Sequence, residues 1–131
     1  MENIRKVFLL RHCRPQLPKG NSICLGKKDI PLSSEGIAEA ERLKEYFSNI
    51  SLNSIYSSPL IRARNTAEII ADKKMNVKIK KDFSEFNVGK WDGMSFCEIK
   101  EKFPFEYKER GENIENYIIE GGESMAACRE R

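Results

Sequence analysis

The sequence predicts an α/β domain with a mostly parallel sheet packed between helices, and three observations predict it. Val7, Phe8, Leu9 and Leu10 form a continuous apolar run, the pattern of a strand buried on both faces. Two further strand-like segments, residues 54–57 and 77–79, alternate with stretches of helical period. No Gly/Ser-rich linker, repeat or low-complexity tract divides the chain, so one domain over residues 1–131 accounts for it. Strands alternating with helices imply crossover connections, hence parallel strands with helices on the sheet faces. In such sheets ligands gather at the carboxyl ends of the strands.

The first strand is expected to end at Arg11 and His12. From Cys13 to Pro31 the chain is broken by Pro15, Pro18, Gly20 and Gly26, which marks a loop at that strand end. Ser33 or Ser34 can cap a helix whose Ile37, Ala40, Leu43 and Phe47 recur at helical spacing. After the second strand, Ser58 and Pro59 supply a cap and a first-turn proline for a helix with Ala63, Ala67, Ile70 and Ala71 on its apolar face. Val77 and Ile79 alternate with lysines as a more exposed third strand. Ser95 and Glu98 have capping-box spacing before Ile99 and Phe103, and Pro104 ends that helix. Residues 104–122 show no period, while residues 123–131 begin another helical pattern.

With 131 residues and 40% hydrophobic content the chain has room for one core. A net charge of only +3 among 33% charged residues gives no basic face of the kind that tracks a nucleic-acid backbone. No apolar run approaches the roughly 20 residues of a membrane helix, and residues 1–6 lead into a strand rather than a signal core. Cys13, Cys24, Cys97 and Cys128 have no paired spacing, which suits a reducing compartment and argues against a zinc ribbon. A cytoplasmic protein, binding neither nucleic acid nor membrane, is expected.

His12 is the only histidine, so multi-histidine metal sites are ruled out from these residues. An arginine fork matches phosphate oxygens, and a neutral imidazole can attack phosphorus. Alone, the Arg11-His12 pair is better explained as surface residues, or as a satisfied histidine with a charged neighbour. Arg62, in the first turn of the second expected helix, adds a second cation where helix N-termini favour anions; its bland alternative is a solvated arginine.

LLRHCRP followed by YSSPLIRARNTA resembles the histidine phosphatase superfamily, also called the phosphoglycerate mutase-like family. LGKKDIPLSSEGIAEAERL, SEFNVGKWDGMS and EGGES fit further motifs in the same order, so the resemblance covers almost the whole chain. It implies a three-layer αβα fold, incomplete at the C-terminus, with one domain lacking its final part. It also implies His12 as phosphorylated nucleophile, Arg11 and Arg62 as phosphate ligands, and Glu85 as donor of a proton to the leaving oxygen. Arg64 is read as solvated. No metal or other cofactor is implied, and the expected partner is a small phosphorylated metabolite.

Two departures stand out. Cys13 replaces the glycine that normally follows the histidine, which puts bulk beside the nucleophile, restricts φ and adds an oxidisable thiol. The second histidine of the family, in a motif resembling SHGG downstream of GGES, has no counterpart, since no histidine follows His12. Impaired turnover is expected from that loss, and self-association through an unpaired sheet edge. Pro15 resembles phosphatase branches similar to α-ribazole phosphatase, which favours phosphate monoester hydrolysis. The alternatives are phosphoglycerate mutase-type transfer and a non-catalytic phosphate-binding relic.

Overall fold

The computed structural model describes residues 4–18 and 22–131. Gly20 and the first three residues of the expected N-terminal segment lie outside them. In order, the chain forms helix α1 (Ser34–Phe47), strand β1 (Ile55–Ser57), helix α2 (Ile61–Ala71), strand β2 (Val77–Ile79), two single 3-10 turns (Lys81–Phe83 and Gly89–Trp91), and helices α3 (Phe96–Lys102), α4 (Pro104–Glu112) and α5 (Met125–Glu130). The result is a mixed α/β fold with a parallel sheet. β1 and β2 pair in parallel with Ile55 opposite Val77 and Ser57 opposite Ile79, and α2 is the crossover between them.

The caps behave as the residues dictate. The Ser33 hydroxyl accepts the Gly36 N–H at the start of α1. Ser95 and Glu98 close a reciprocal capping box on α3. At α2 the helix begins later than Ser58 and Pro59 suggest, because the Ile61 N–H donates to Asp29 Oδ1 at 2.7 Å. A carboxylate carried in from a distant loop therefore caps the helix. Pro104 both stops α3 and occupies the first turn of α4, where its missing N–H is harmless. α4 escaped the sequence pattern because none of its residues is buried, so it has no apolar stripe.

Two apolar clusters hold the domain. Cys13, Leu32 and Ala40, with Leu43 and Ile69 against them, join the loop after His12 to α1 and α2. Cys24, Phe86, Val88, Trp91, Ile99 and Ile119 form the larger one, which ties the 22–28 loop to α3 and the 84–91 segment.

The expected first strand is the correction. Residues 7–10 pair with no strand among the described residues, and Val7 and Leu9 are 78% and 92% exposed. Phe8 lies edge-on to Phe47, with ring centroids 5.2 Å apart. Periodicity reports that both faces of a segment are apolar; burying them needs strands on either side, and β1 and β2 pair only with each other.

Candidate active site

His12 follows this extended segment directly, at the mouth of an open cleft of about 320 Å³. Arg11, His12, Arg62 and Glu85 all line it, so the structure brings together the four residues that the sequence nominated. Arg14, Glu39, Leu17, Ile23 and Leu25 complete most of the rim.

The imidazole is oriented by its own backbone. His12 Nδ1 lies 2.8 Å from the Cys13 carbonyl oxygen, and since a carbonyl only accepts, Nδ1 carries the proton. The Nε2 lone pair then has no hydrogen-bond partner among the described residues. Partial burial lowers the His12 pKa, and the positive charges of Arg62 and Arg11 lower it further. The Cys13 carbonyl and the Glu85 carboxylate pull the other way without cancelling the shift. The ring is therefore held in its neutral form around neutral pH.

Arg62 is not the solvated arginine of the bland alternative, being 1% exposed. α2 carries it inward, where Nη2 donates to the Gly26 carbonyl at 2.8 Å and Nη1 to the Lys28 carbonyl at 3.0 Å. Its Nε is buried and has no protein partner among the described residues. Desolvation lowers its pKa against the nearby carboxylates of Glu85, Asp29 and Asp92; an arginine so placed keeps its charge. Arg64, one face round, is exposed and pairs with Glu68 at 3.5 Å. The α2 N-terminus offers less to an anion than its position suggests, because Asp29 already takes the Ile61 N–H.

Glu85 sits exposed on the loop between the two 3-10 turns, with its Oε1 accepting the N–H of Phe86 at 2.9 Å. Among the aromatic residues near it in sequence, Phe86 and Trp91 are buried and Phe83 is 58% exposed.

Cys13 answers the question its sequence raised. Among the described residues only Asp72 and Lys73 are non-glycines at positive φ, so the backbone here does not need glycine. The side chain packs with Leu32 and Ala40 in the core, and burial pushes the thiol pKa up, away from the reactive thiolate. Its N–H donates to Thr66 Oγ1 at 3.1 Å, and that hydroxyl donates onward to the Arg62 carbonyl at 2.8 Å.

Thr66 and Asp92 escaped the sequence reading. Asp92 accepts the N–H groups of Gly26 and Lys28, the residues whose carbonyls hold Arg62. Thr66 lies in the YSSPLIRARNTA motif, one helical turn past Arg62 on the same face, and that i,i+4 spacing was the available signal. Asp92 had none beyond its place in the SEFNVGKWDGMS motif. No cluster of possible metal ligands occurs among the described residues.

Fold and cleft together define an α/β domain that presents a neutral imidazole beside two arginines and a carboxylate. The sequence profile of the histidine phosphatase superfamily (branch 1) matches residues 7–131, and the chain belongs to that superfamily. It is 36% identical over 128 residues to phosphoserine phosphatase 1 of Hydrogenobacter thermophilus, covering 96% of this chain and 60% of that protein. It is 33% identical over 135 residues to fructose-2,6-bisphosphatase of Saccharomyces cerevisiae, covering 92% of this chain and 29% of that one. In fold it is similar to the α-ribazole phosphatase of Shigella flexneri, with a TM-score of 0.84 at 23% identity, over 92% of this chain and 60% of that chain. The chain thus spans less than two thirds of the length of each.

Proposed function

We propose that this domain hydrolyses small phosphate monoesters through a phosphohistidine at His12. The observation that carries the reading is the 2.8 Å contact from Nδ1 to the Cys13 carbonyl, which fixes the tautomer with Nε2 free in a cleft lined by Arg11, Arg62 and Glu85.

In the first step Nε2 attacks phosphorus, the P–O ester bond breaks, and its electron pair stays on the leaving oxygen. Glu85, in its acid form, protonates that oxygen, a step an alkoxide leaving group needs. Arg11 and the remaining donors of Arg62 take the equatorial oxygens, where charge is spread in the transition state. In the second step water attacks the phosphohistidine, gives up a proton to the Glu85 carboxylate, and the N–P bond breaks to release inorganic phosphate and neutral His12. The relatives named phosphatases support hydrolysis as the reaction class.

The substrate enters as a single phosphorylated metabolite. The four free cysteines fit action in the reducing cytoplasm. The exposure of Val7 and Leu9 supports self-association along residues 7–10; sedimentation showing a monomer at all concentrations removes that part.

One observation favours a second reading. Residues 1–131 hold a single imidazole, so among them only Arg11 and Arg62 share the charge of the transferring phosphate. Turnover by these residues is then impaired, and at the limit the cleft binds phosphate without hydrolysing it.

The test is incubation with a chromogenic phosphate ester, followed by a search for acid-labile phosphate on His12 and comparison with His12→Ala. Labelled parent and inert variant establish the phosphoenzyme. Equal turnover by both removes His12 from the mechanism, and calorimetric binding of phosphate without any turnover establishes the second reading.

A further inference from the structure

The EGGES segment takes no part in these steps, yet it is tied to the loop that carries Glu85. Glu123 Oε1 accepts the Asn87 N–H at 2.9 Å, and the Glu123 N–H donates back to the Asn87 carbonyl at 3.0 Å. Asn87 Nδ2 also donates to the Gly121 carbonyl at 3.1 Å. Glu123 is held in turn by Arg131, whose Nη2 donates to Oε1 at 2.7 Å and whose Nε donates to Oε2 at 3.3 Å.

The same guanidinium spends its other donors on the Glu85 loop. Nη1 donates to the carbonyls of Asp82 at 2.8 Å and Ser84 at 2.9 Å, and Nη2 reaches the carbonyl of Glu85 itself at 3.4 Å. Peptide units on both sides of the Glu85 Cα are therefore fixed by one ion pair. Neither Glu123 nor Arg131 lines the cleft.

Surface ion pairs ordinarily contribute little, because solvent screens them and two long side chains lose freedom. This one differs in geometry. It is bidentate, its side chains are only 24% and 20% exposed, and its guanidinium is engaged by backbone carbonyls as well. Its effect falls on the placement of one carboxyl group. A proton donor must lie within a hydrogen bond of the leaving oxygen, and groups that meet that demand are held by neighbours which do not touch substrate.

We propose that Glu123 and Arg131 are positioning residues for Glu85: together they clamp residues 82–87 and so set where its carboxyl stands relative to His12. The inference rests on the reading of Glu85 as the proton donor.

His12, the single imidazole, reports the distance directly. The charged groups that face it are Arg62 and Arg11, which lower its titration point, and Glu85, which raises it. In the full chain the ring proton of His12 is followed by NMR against pH in the parent, Glu85→Gln, Arg131→Gln and Glu123→Gln. Each variant is expected to titrate lower than the parent, and the two clamp variants to add nothing in a Glu85→Gln background. Bare loss of the Arg131 charge would shift His12 upward, so the sign separates a displaced carboxylate from a deleted cation. If Glu85→Gln moves the titration and the clamp variants leave it unchanged or raised, the clamp is overturned and the Glu85 reading stands. If Glu85→Gln leaves it unmoved, the reading fails and takes the clamp with it.

Turnover gives the second readout. Against an alkyl phosphate the clamp variants should lose about tenfold or more in kcat/KM, which reports the phosphorylation step and not the hydrolysis shared by all esters, and against p-nitrophenyl phosphate less than about twofold, since nitrophenolate departs without a proton. Equal losses on both esters mean a merely structural role and overturn the proposal. Where Arg131→Gln does not fold, Glu123→Gln serves through its comparison with the Glu85→Gln background and through the two esters, because loss of its own anion also lowers His12.

Discussion

Asp92 and Arg62 hold the same two residues of one loop by opposite groups. The Asp92 carboxylate accepts the N–H of Gly26 at 2.9 Å and of Lys28 at 2.7 Å, while the Arg62 guanidinium donates to the carbonyls of Gly26 at 2.8 Å and Lys28 at 3.0 Å. The loop is thus a bridge through which a residue of the 84–95 motif fixes a side chain of α2.

Asp92→Asn tests that bridge. The amide keeps one acceptor and loses the other, and a hydrogen bond to a charged group contributes about 1.5–3 kcal/mol. Urea unfolding is expected to show a loss in that range. Calorimetry is expected to show weaker phosphate binding as well, because the carbonyls that anchor Arg62 are no longer fixed. Parent-like unfolding and parent-like phosphate affinity together would contradict the bridge.

Thr66 makes a sharper case, since its hydroxyl serves two backbone groups, the Cys13 N–H and the Arg62 carbonyl. Thr66→Val keeps the shape and strands a buried N–H beside His12, at a cost of about 1–3 kcal/mol. Thr66→Ser retains the oxygen and should recover most of that. Serine and valine variants of equal stability would mean that the hydroxyl is not what holds Cys13.

The contrast between these residues and His12 shows what a linear reading reaches. Arg11, His12, Arg62 and Glu85 were legible because each lies in a motif whose order the chain preserves, and the cleft gathers them. Asp92 and Asp29 were not, because their work is side chain to backbone across 66 and 32 residues, which no local spacing records. The run at residues 7–10 is apolar on both faces, as its pattern says, yet Val7 and Leu9 are exposed, since burial is a property of neighbouring strands. No motif in the sequence marks Arg131; only the folded loop shows that its donors are met by Asp82, Ser84 and Glu85.

The pH dependence follows from the lowered His12 pKa. The attacking form is the neutral ring, so activity should persist to lower pH than an ordinary histidine, at 6.5, would allow. Removing either arginine should move the acidic limb back up: Arg11→Gln and Arg62→Gln each delete a cation that disfavours the imidazolium. Stability carries the same sign. A group whose folded pKa is depressed binds its proton more readily when unfolded, so stability is lost as pH falls from 6.5 through the lowered folded value. NMR titration of the one imidazole checks the shift; a titration at or above 6.5 in the folded chain would refute both statements.

Gly36→Ala sets two effects of opposite sign against each other. Gly36 is the third residue of α1, and alanine in a helix interior is favoured over glycine by about 1 kcal/mol. A Cβ there, however, would lie 2.1 Å from the Arg14 carbonyl oxygen, a backbone atom that cannot swing aside as a side chain would. That carbonyl accepts the Ser33 N–H at 3.0 Å, and the Arg14 N–H donates to Glu39 at 2.9 Å, so the strand-like turn after His12 is tied to α1 on both sides of the clash. Overpacking of this kind costs about 1–3 kcal/mol, and the steric effect should win. Calorimetric unfolding is expected to show net destabilisation, with weaker phosphate binding because Arg11 and His12 lie immediately upstream of the displaced segment. A stabilised Gly36→Ala would mean that the Arg14 loop moves away from α1 at little cost, and that the cleft is softer on this side than its hydrogen bonds imply.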